Sequence, residues 1–87
     1  MVLYHIIDVP RLSTFDGTAI FLYADDHAPP HVHAYYGEHE VLLVIADGSV
    51  LVGSLPHAQL RKAQAWVRTS RTETMAMWDR LNGGRRD

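Results

Sequence analysis

The sequence predicts an α+β domain, in which a small antiparallel β-meander of about four strands is followed by a helical segment packed on one face of the sheet. Two patterns support this class. Before residue 56, short apolar runs rich in β-branched and aromatic residues alternate with turn signals. From Pro56 onward, apolar residues recur at the three- and four-residue spacing of a helix. At 87 residues, the chain fits a single domain, residues 1–87.

The strands are predicted from the apolar runs and the turns between them. Residues 1–9 are predicted to form an N-terminal strand or arm, and residues 10–17 a connection. The clear strands are predicted at residues 18–24, 31–36, 41–46 and 49–53. Asp47-Gly48 indicates a type I′ turn, which would join the last two strands as a hairpin.

The helical segment is predicted to be one broken helix or two short helices. Its apolar side is formed by Leu60, Ala63, Trp66, Val67, Met75, Trp78 and Leu81. Ser70 and Glu73 have the spacing of a capping box, so we expect the helix to break at Ser70 and restart. Two glycines follow Asn82, so residues 83–87 are expected to form a flexible tail.

Composition limits the classes of function that are worth testing. The chain has no cysteine, so a metal site would have to use His, Asp or Glu side chains. No apolar run approaches the ~20 residues of a membrane span, so we expect a cytoplasmic protein with no membrane partner. Seven of the ten acidic residues lie in residues 1–55, and seven of the eight basic residues lie in residues 56–87. The basic half could therefore meet an acidic partner.

One short segment concentrates the residues that can carry chemistry. Three of the six histidines, His27, His31 and His33, lie within seven residues and follow two aspartates. The two prolines before His31 predict a stiff, extended approach to the strand. Residues two apart on a strand point the same way, so His31 and His33 are expected to present their rings on one face.

This segment supports three interpretations. A divalent metal such as Zn, Ni or Mn could be held by His31 and His33 with His27 or Asp25. Without a metal, His27, His31 and His33 could act as acid and base on a phosphodiester, with Asp26 fixing a tautomer. Alternatively, the motif is structural: its carboxylates accept loop amides and its histidines pack beside neighbouring side chains.

Two groups of helical residues have both a structural and a functional interpretation. Trp66 and Trp78 are expected to be core anchors, although tryptophan is also common in partner-binding surfaces. Arg61, Arg68 and Arg71 fall on one side of the helix. They form a solvated face or a contact with RNA phosphates or an acidic partner.

The segment from Tyr23 to Tyr36 resembles the signature of a family of small prokaryotic proteins, domain of unknown function 4160. The matching core is D-D-H-x-P-P-H-x-H, and the likeness covers about residues 10 to 81. The family pattern also includes Gly17, Gly48, Gly53-Ser54-Leu55-Pro56, Leu60, Trp66 and Trp78. The sequence departs from the family at residues 69–72, where members carry a basic or histidine-containing segment, and in the longer N-terminal extension.

The resemblance implies a genetic context rather than a reaction. Members are encoded beside a second small protein, of the domain of unknown function 2442 type, in an arrangement that resembles toxin–antitoxin modules. We therefore expect a toxin-like component with that neighbour as its partner, RNA as a substrate and a homo-oligomer or hetero-complex as its assembly. The alternative is a non-enzymatic protein-binding or regulatory module, in which the histidine motif is structural or a metal staple.

Overall fold

The computed structural model describes residues 11–23 and 27–82. The strands are β1 (Arg11–Phe15), β2 (Thr18–Phe21), β3 (His31–Tyr36), β4 (His39–Val44) and β5 (Val50–Gly53). The helices are α1 (His57–Thr69) and α2 (Arg71–Leu81). The predicted arm at residues 1–9 and the predicted tail at residues 83–87 lie outside the described residues.

The strands form one antiparallel sheet in the order β1-β2-β3-β4-β5, so each strand pairs with its neighbours along the chain. Tight turns determine this order. Asp16 and Gly17 have φ angles of 48° and 82°, as a type I′ turn requires at both central positions. Gly37, with φ 59°, opens the two-residue turn between β3 and β4. The predicted antiparallel meander and the α+β class are confirmed.

The sheet has five strands, whereas the sequence predicts about four. The additional strand, β1, falls in the segment that is predicted as a connection. β1 lies at the edge of the sheet and its residues are exposed or half-buried, so it lacks the apolar run of a central strand. A bulge between Arg11 and Ser13 also interrupts its alternation.

One face of the sheet packs against the helices and forms the core. Ile20, Ala34 and Val41 pair across three strands and are fully buried. Ala63 and Val67 of α1 join the same apolar cluster. Side chains alternate along each strand, so the residues between the core positions lie on the opposite face, which we call the outer face. It carries Phe21, His33, Tyr35, Glu40 and Leu42.

The helices are separated at Ser70, as the sequence predicts, but the capping box does not form. Ser70 makes no side-chain cap hydrogen bond to α2. Its amide donates to the Trp66 carbonyl at 2.9 Å, and its carbonyl accepts from the amide and the hydroxyl of Thr74 at 2.9 and 2.7 Å. The chain therefore passes from α1 to α2 through a residue whose own amide and carbonyl are both hydrogen-bonded.

Helical side chains hold the connection between β4 and β5. Gln64 Nε2, Arg68 Nε and Arg71 Nη1 donate to the carbonyls of residues 48, 47 and 46, over 2.9, 3.1 and 3.0 Å. Two of the three arginines that the sequence singles out therefore have a structural role in this protein.

The same connection does not have the predicted type I′ turn. The hairpin exists, but only Gly48 has a positive φ, of 78°. Asp47 instead accepts a hydrogen bond from the Ser49 amide at 2.9 Å, and this bond lowers the pKa of its carboxyl. The helices bind three consecutive carbonyls here, which requires a longer connection than a two-residue turn. Within the described part of the chain, neither helix has the length and apolar character to cross a membrane.

Candidate functional site

The histidine motif enters the sheet at the start of β3. The peptide bond between Ala28 and Pro29 is cis. The Pro30 carbonyl accepts a hydrogen bond from the Ile45 amide at 3.0 Å, which ties the end of the loop to the residue after β4. The loop therefore carries His27, and the strand carries the other two motif histidines.

The three motif histidines lie in a row, with His31 in the middle. Ring centroids are 5.3 Å apart between His27 and His31, and 5.1 Å apart between His31 and His33. The structure therefore brings together the three imidazoles that the sequence singles out. Asp25 and Asp26, the two predicted acidic members, lie outside the described residues.

All three rings make a hydrogen bond through Nδ1 to an oxygen that can only accept. The acceptors are the Ala28 carbonyl for His27 at 3.2 Å and the Pro29 carbonyl for His31 at 2.7 Å. For His33 the acceptor is the Glu40 carboxylate, at 3.0 Å. Since the proton must lie on Nδ1 in each ring, the lone pair of the neutral imidazole is on Nε2. This tautomer suits both a general base and a metal ligand.

His31 differs from its neighbours in burial. It is fully buried, and its ring centroid lies 5.4 Å from that of Trp78 on α2. His33, by contrast, has a side chain that is 15% exposed, and His27 is exposed. The two strand histidines are therefore not equivalent: His31 packs into the domain, and His33 can be reached from the outer face.

Glu40 is a site residue that sequence reasoning missed. It pairs with Tyr35 across β3 and β4, which places its side chain on the outer face and diagonally opposite His33. The sequence does contain a signal for this position of Glu40, because a two-residue turn at Gly37-Glu38 fixes the register between β3 and β4. The sequence predicts the two strands at residues 31–36 and 41–46, which leaves Glu40 in the connection between them.

Two tyrosines complete the surroundings of His33. The hydroxyls of Tyr23 and Tyr35 are 2.8 Å apart and hydrogen-bonded. The Tyr23 ring meets His33 edge to face, with centroids 4.4 Å apart. Burial, followed by the Tyr23 hydroxyl and the Glu40 carboxylate, raises the pKa of Tyr35 well above its usual value.

We expect Tyr35 to keep its proton at a pH where ordinary tyrosines lose theirs, about 10. Because its pKa is raised on folding, its contribution to stability is present below the unfolded value and is lost as the pH rises through the folded value. Tyrosinate absorbance during an alkaline titration should show a late phenol that is missing in Tyr35→Phe. Simultaneous titration of all tyrosines near the usual pH would contradict this environment for Tyr35.

The described residues alone do not form the metal site that the sequence predicts. Within residues 11–23 and 27–82, no group of three or more His, Cys, Asp or Glu side chains is placed to hold a metal ion. The tautomer of the three histidines suits a ligand role, and Asp25 and Asp26 would have to complete any such site. The metal interpretation stays a prediction.

The predicted arginine stripe lies on the helical side of the domain. Arg61 is exposed and lines a groove of about 560 Å³ on α1, together with His57, Lys62 and Arg68. Because α1 packs on the core face, this groove and His33 are on opposite sides of the sheet. The structure does not bring Arg61, Arg68 and Arg71 to the histidines.

These features define a class: a small α+β domain with a row of histidines at one end of a meander sheet, backed by two helices. The chain belongs to the family described as Domain of unknown function (DUF4160), whose model matches residues 17–79. Comparisons with the curated proteins and with the solved structures find no significant match.

Proposed function

We propose that this protein cleaves RNA by acid–base catalysis at a site centred on His33, as the toxin-like component of a two-gene module. The hydrogen bond between His33 Nδ1 and Glu40 Oε2 carries this proposal. A carboxylate in that position holds the lone pair on Nε2 and stabilises the imidazolium that forms when Nε2 takes a proton. The exposed fraction of His33 lets a substrate on the outer face reach the ring.

In the proposed reaction, His33 Nε2 takes the proton of a ribose 2′-hydroxyl, and the 2′-oxygen attacks the adjacent phosphorus. The bond from phosphorus to the 5′-oxygen breaks. His27, in its imidazolium form, donates a proton to that oxygen. The products are a 2′,3′-cyclic phosphate and a 5′-hydroxyl. His31 lies between the two histidines and acts as a positioning residue, because it is buried and packed against Trp78.

The biological side of the proposal rests on the gene pair that the family resemblance implies. An RNA-cleaving protein is harmful to its own cell, so it needs a neutralising partner made at the same time. The neighbour of the domain of unknown function 2442 type would supply that partner. The acidic residues concentrated in residues 1–55 and the basic residues concentrated in residues 56–87 both offer charge for such a partner to recognise.

A metal-assisted form of the reaction has its own test. In this form, His31 and His33 would hold Zn, Ni or Mn together with a carboxylate of Asp25 or Asp26, since no three of the described side chains are placed to share one ion. The ion would supply a Lewis acid or an activated water. Activity that is lost on dialysis against a chelator and restored by one of these ions would identify this form, and activity that survives the chelator would exclude it.

Controlled expression in cells tests the toxin proposal. We expect the wild type to stop growth and to shorten total RNA, and we expect His33→Ala and Glu40→Gln to do neither. His57→Ala and Glu38→Gln are matched controls, because both residues are exposed and lie away from His33. They should behave as the wild type.

All five proteins must be folded and equally abundant for this comparison, which circular dichroism and immunoblotting can establish. Growth arrest by His33→Ala as strong as that by the wild type would overturn the assignment of the site. Normal growth and intact RNA with the wild type would overturn the toxin proposal itself.

A non-enzymatic binding module is the second candidate, and the burial of His31 favours it. A histidine that is fully buried, bonded to the Pro29 carbonyl and packed on Trp78 shapes the fold rather than contacting a substrate. Co-expression with the neighbouring gene product tests this candidate. A complex that forms equally well with the wild type and His33→Ala, combined with intact RNA, would favour the binding module; separate species at micromolar concentration would exclude it.

A further inference from the structure

Four aromatic rings form a closed cluster on the outer face. Phe21 and Tyr23 are nearly parallel, with centroids 6.3 Å apart, as are His33 and Tyr35, at 6.4 Å. The two pairs meet edge to face, through contacts of 4.4 Å between Tyr23 and His33 and 5.6 Å between Phe21 and Tyr35. All four residues are partly exposed.

A cation lies at the border of this cluster. The Arg11 guanidinium carbon is 5.4 Å from the centroid of the Phe21 ring. Arg11, Phe21 and His33 pair in sequence across β1, β2 and β3. Neighbouring strands are about 4.8 Å apart, so Arg11 and His33 lie about 10 Å from each other on the same face.

Aromatic rings beside an arginine on a sheet face suit one kind of ligand chemistry. Unpaired bases stack on aromatic side chains and on guanidinium planes, and the positive charge attracts the phosphates between them. A double-stranded helix keeps its bases stacked on one another, so it cannot use such a surface. The chemistry therefore selects single-stranded RNA over a duplex.

The basic groove on α1 is the competing surface, and its geometry does not fit. The groove lies on the other side of the sheet from His33, and its Arg68 is bonded to the Asp47 carbonyl. Its Lys62 is paired with Asp16 at 2.8 Å. An RNA strand held there would not present a phosphate to His33, whereas a strand on the aromatic cluster would.

We propose that the outer face binds single-stranded RNA, with bases stacked on the cluster of Phe21, Tyr23, His33 and Tyr35 and a phosphate held by Arg11. The proposal rests on the proposed function in its choice of RNA as the ligand. It adds the strandedness of the substrate and the residues that hold it, and it separates this surface from the arginines of the helices.

Fluorescence anisotropy with a labelled, 2′-O-methylated oligouridine of about 12 nucleotides tests the proposal. The methyl group removes the attacking hydroxyl, so binding is measured without cleavage. Losing one stacked base typically weakens binding by about 5- to 100-fold, and we expect Phe21→Leu to weaken it by about 10-fold. Arg11→Gln should weaken binding to a similar degree. It should also reduce the slope of log affinity against log salt concentration by about one, because one phosphate contact is lost. Phe21→Leu keeps an apolar side chain in place, so folding is preserved.

Two further variants separate the outer face from general charge effects. Arg80→Gln removes one exposed positive charge from α2 and should leave affinity unchanged. Arg61→Gln tests the competing groove and should also have no effect. Binding that is weakened by Arg61→Gln but not by Arg11→Gln or Phe21→Leu would overturn the proposal, as would tighter binding of a duplex of the same length.

The experiments can overturn the RNA-binding surface and the proposed cleavage reaction independently of each other. Oligouridine that binds through Arg11 and Phe21, with no cleavage of unmodified RNA, would support the binding surface and overturn the proposed reaction. Cleavage that depends on His33 but is unchanged in Arg11→Gln and Phe21→Leu would support the reaction and overturn the binding surface. No binding of the oligouridine by the wild type overturns the binding surface in either case.

Discussion

Gly53→Ala is expected to destabilise the protein by about 3 kcal/mol or more. Gly53 has a φ of 86°, which an alanine adopts only with strain, and a Cβ at this position would overlap the carbonyl oxygen of Glu40. That carbonyl also accepts a hydrogen bond from the Ser54 amide at 3.0 Å, so it cannot move away without losing a bond. Urea denaturation of the wild type and the variant measures the change in the free energy of unfolding.

Gly37→Ala is the matched control for this prediction. Gly37 also has a positive φ, of 59°, but no atom beyond its two chain neighbours lies within 4 Å of the added Cβ. We expect a cost of about 1 kcal/mol, from backbone strain alone. Equal losses at the two positions would show that the close approach of β5 to Glu40 does not limit the substitution.

Trp78→Ala is expected to cost about 3–5 kcal/mol, which is a large part of the stability of a domain this small. Trp78 is 4% exposed and joins α2 to both the apolar core and the His31 ring. Thermal unfolding should show a much lower midpoint, and Trp78→Phe should be intermediate. Trp66→Ala is the control with the smaller expected loss, because Trp66 is only half-buried.

The contact between Trp78 and His31 leads to a second expected result. A double-mutant cycle with Trp78→Phe and His31→Ala should give a coupling of about 0.5 kcal/mol or more. His33→Ala, combined with Trp78→Phe, should give additive changes. Additivity in both pairs would contradict a positioning role of His31 through Trp78.

Most of the fold could be predicted because its signals are local. The apolar runs before residue 56 and the helical spacing after it give the meander and the helices, and the aspartate–glycine and glycine turns give the strand order. β1 was missed because an exposed edge strand has no apolar run of its own. The prediction of a type I′ turn at Asp47-Gly48 is wrong, because side chains that are distant in sequence bind the carbonyls of that connection. These side chains belong to Gln64, Arg68 and Arg71.

The candidate site could be predicted only in part. The motif identifies His27, His31 and His33, and strand alternation treats His31 and His33 as equivalent. The structure separates them, since Trp78 lies 47 positions beyond His31 in the chain and packs against it. Predicting Glu40 as a site residue requires the register of the β3–β4 hairpin, and predicting Arg11 requires that β1 be recognised as a strand. These residues are linked by long-range packing and pairing, which a local pattern does not contain.

Cleavage of single-stranded RNA by purified protein tests the central claim most directly. Wild type, His33→Ala, Glu40→Gln and the control His57→Ala would be incubated with the same unmodified oligoribonucleotide, and the rate and end groups would be measured. We predict 2′,3′-cyclic phosphate ends, a rate lower by about 100-fold or more for His33→Ala, and by about 10-fold or more for Glu40→Gln. His57→Ala should match the wild type. Cleavage by His33→Ala at the wild-type rate, or no cleavage by the wild type, would contradict an RNA-cleaving site centred on His33.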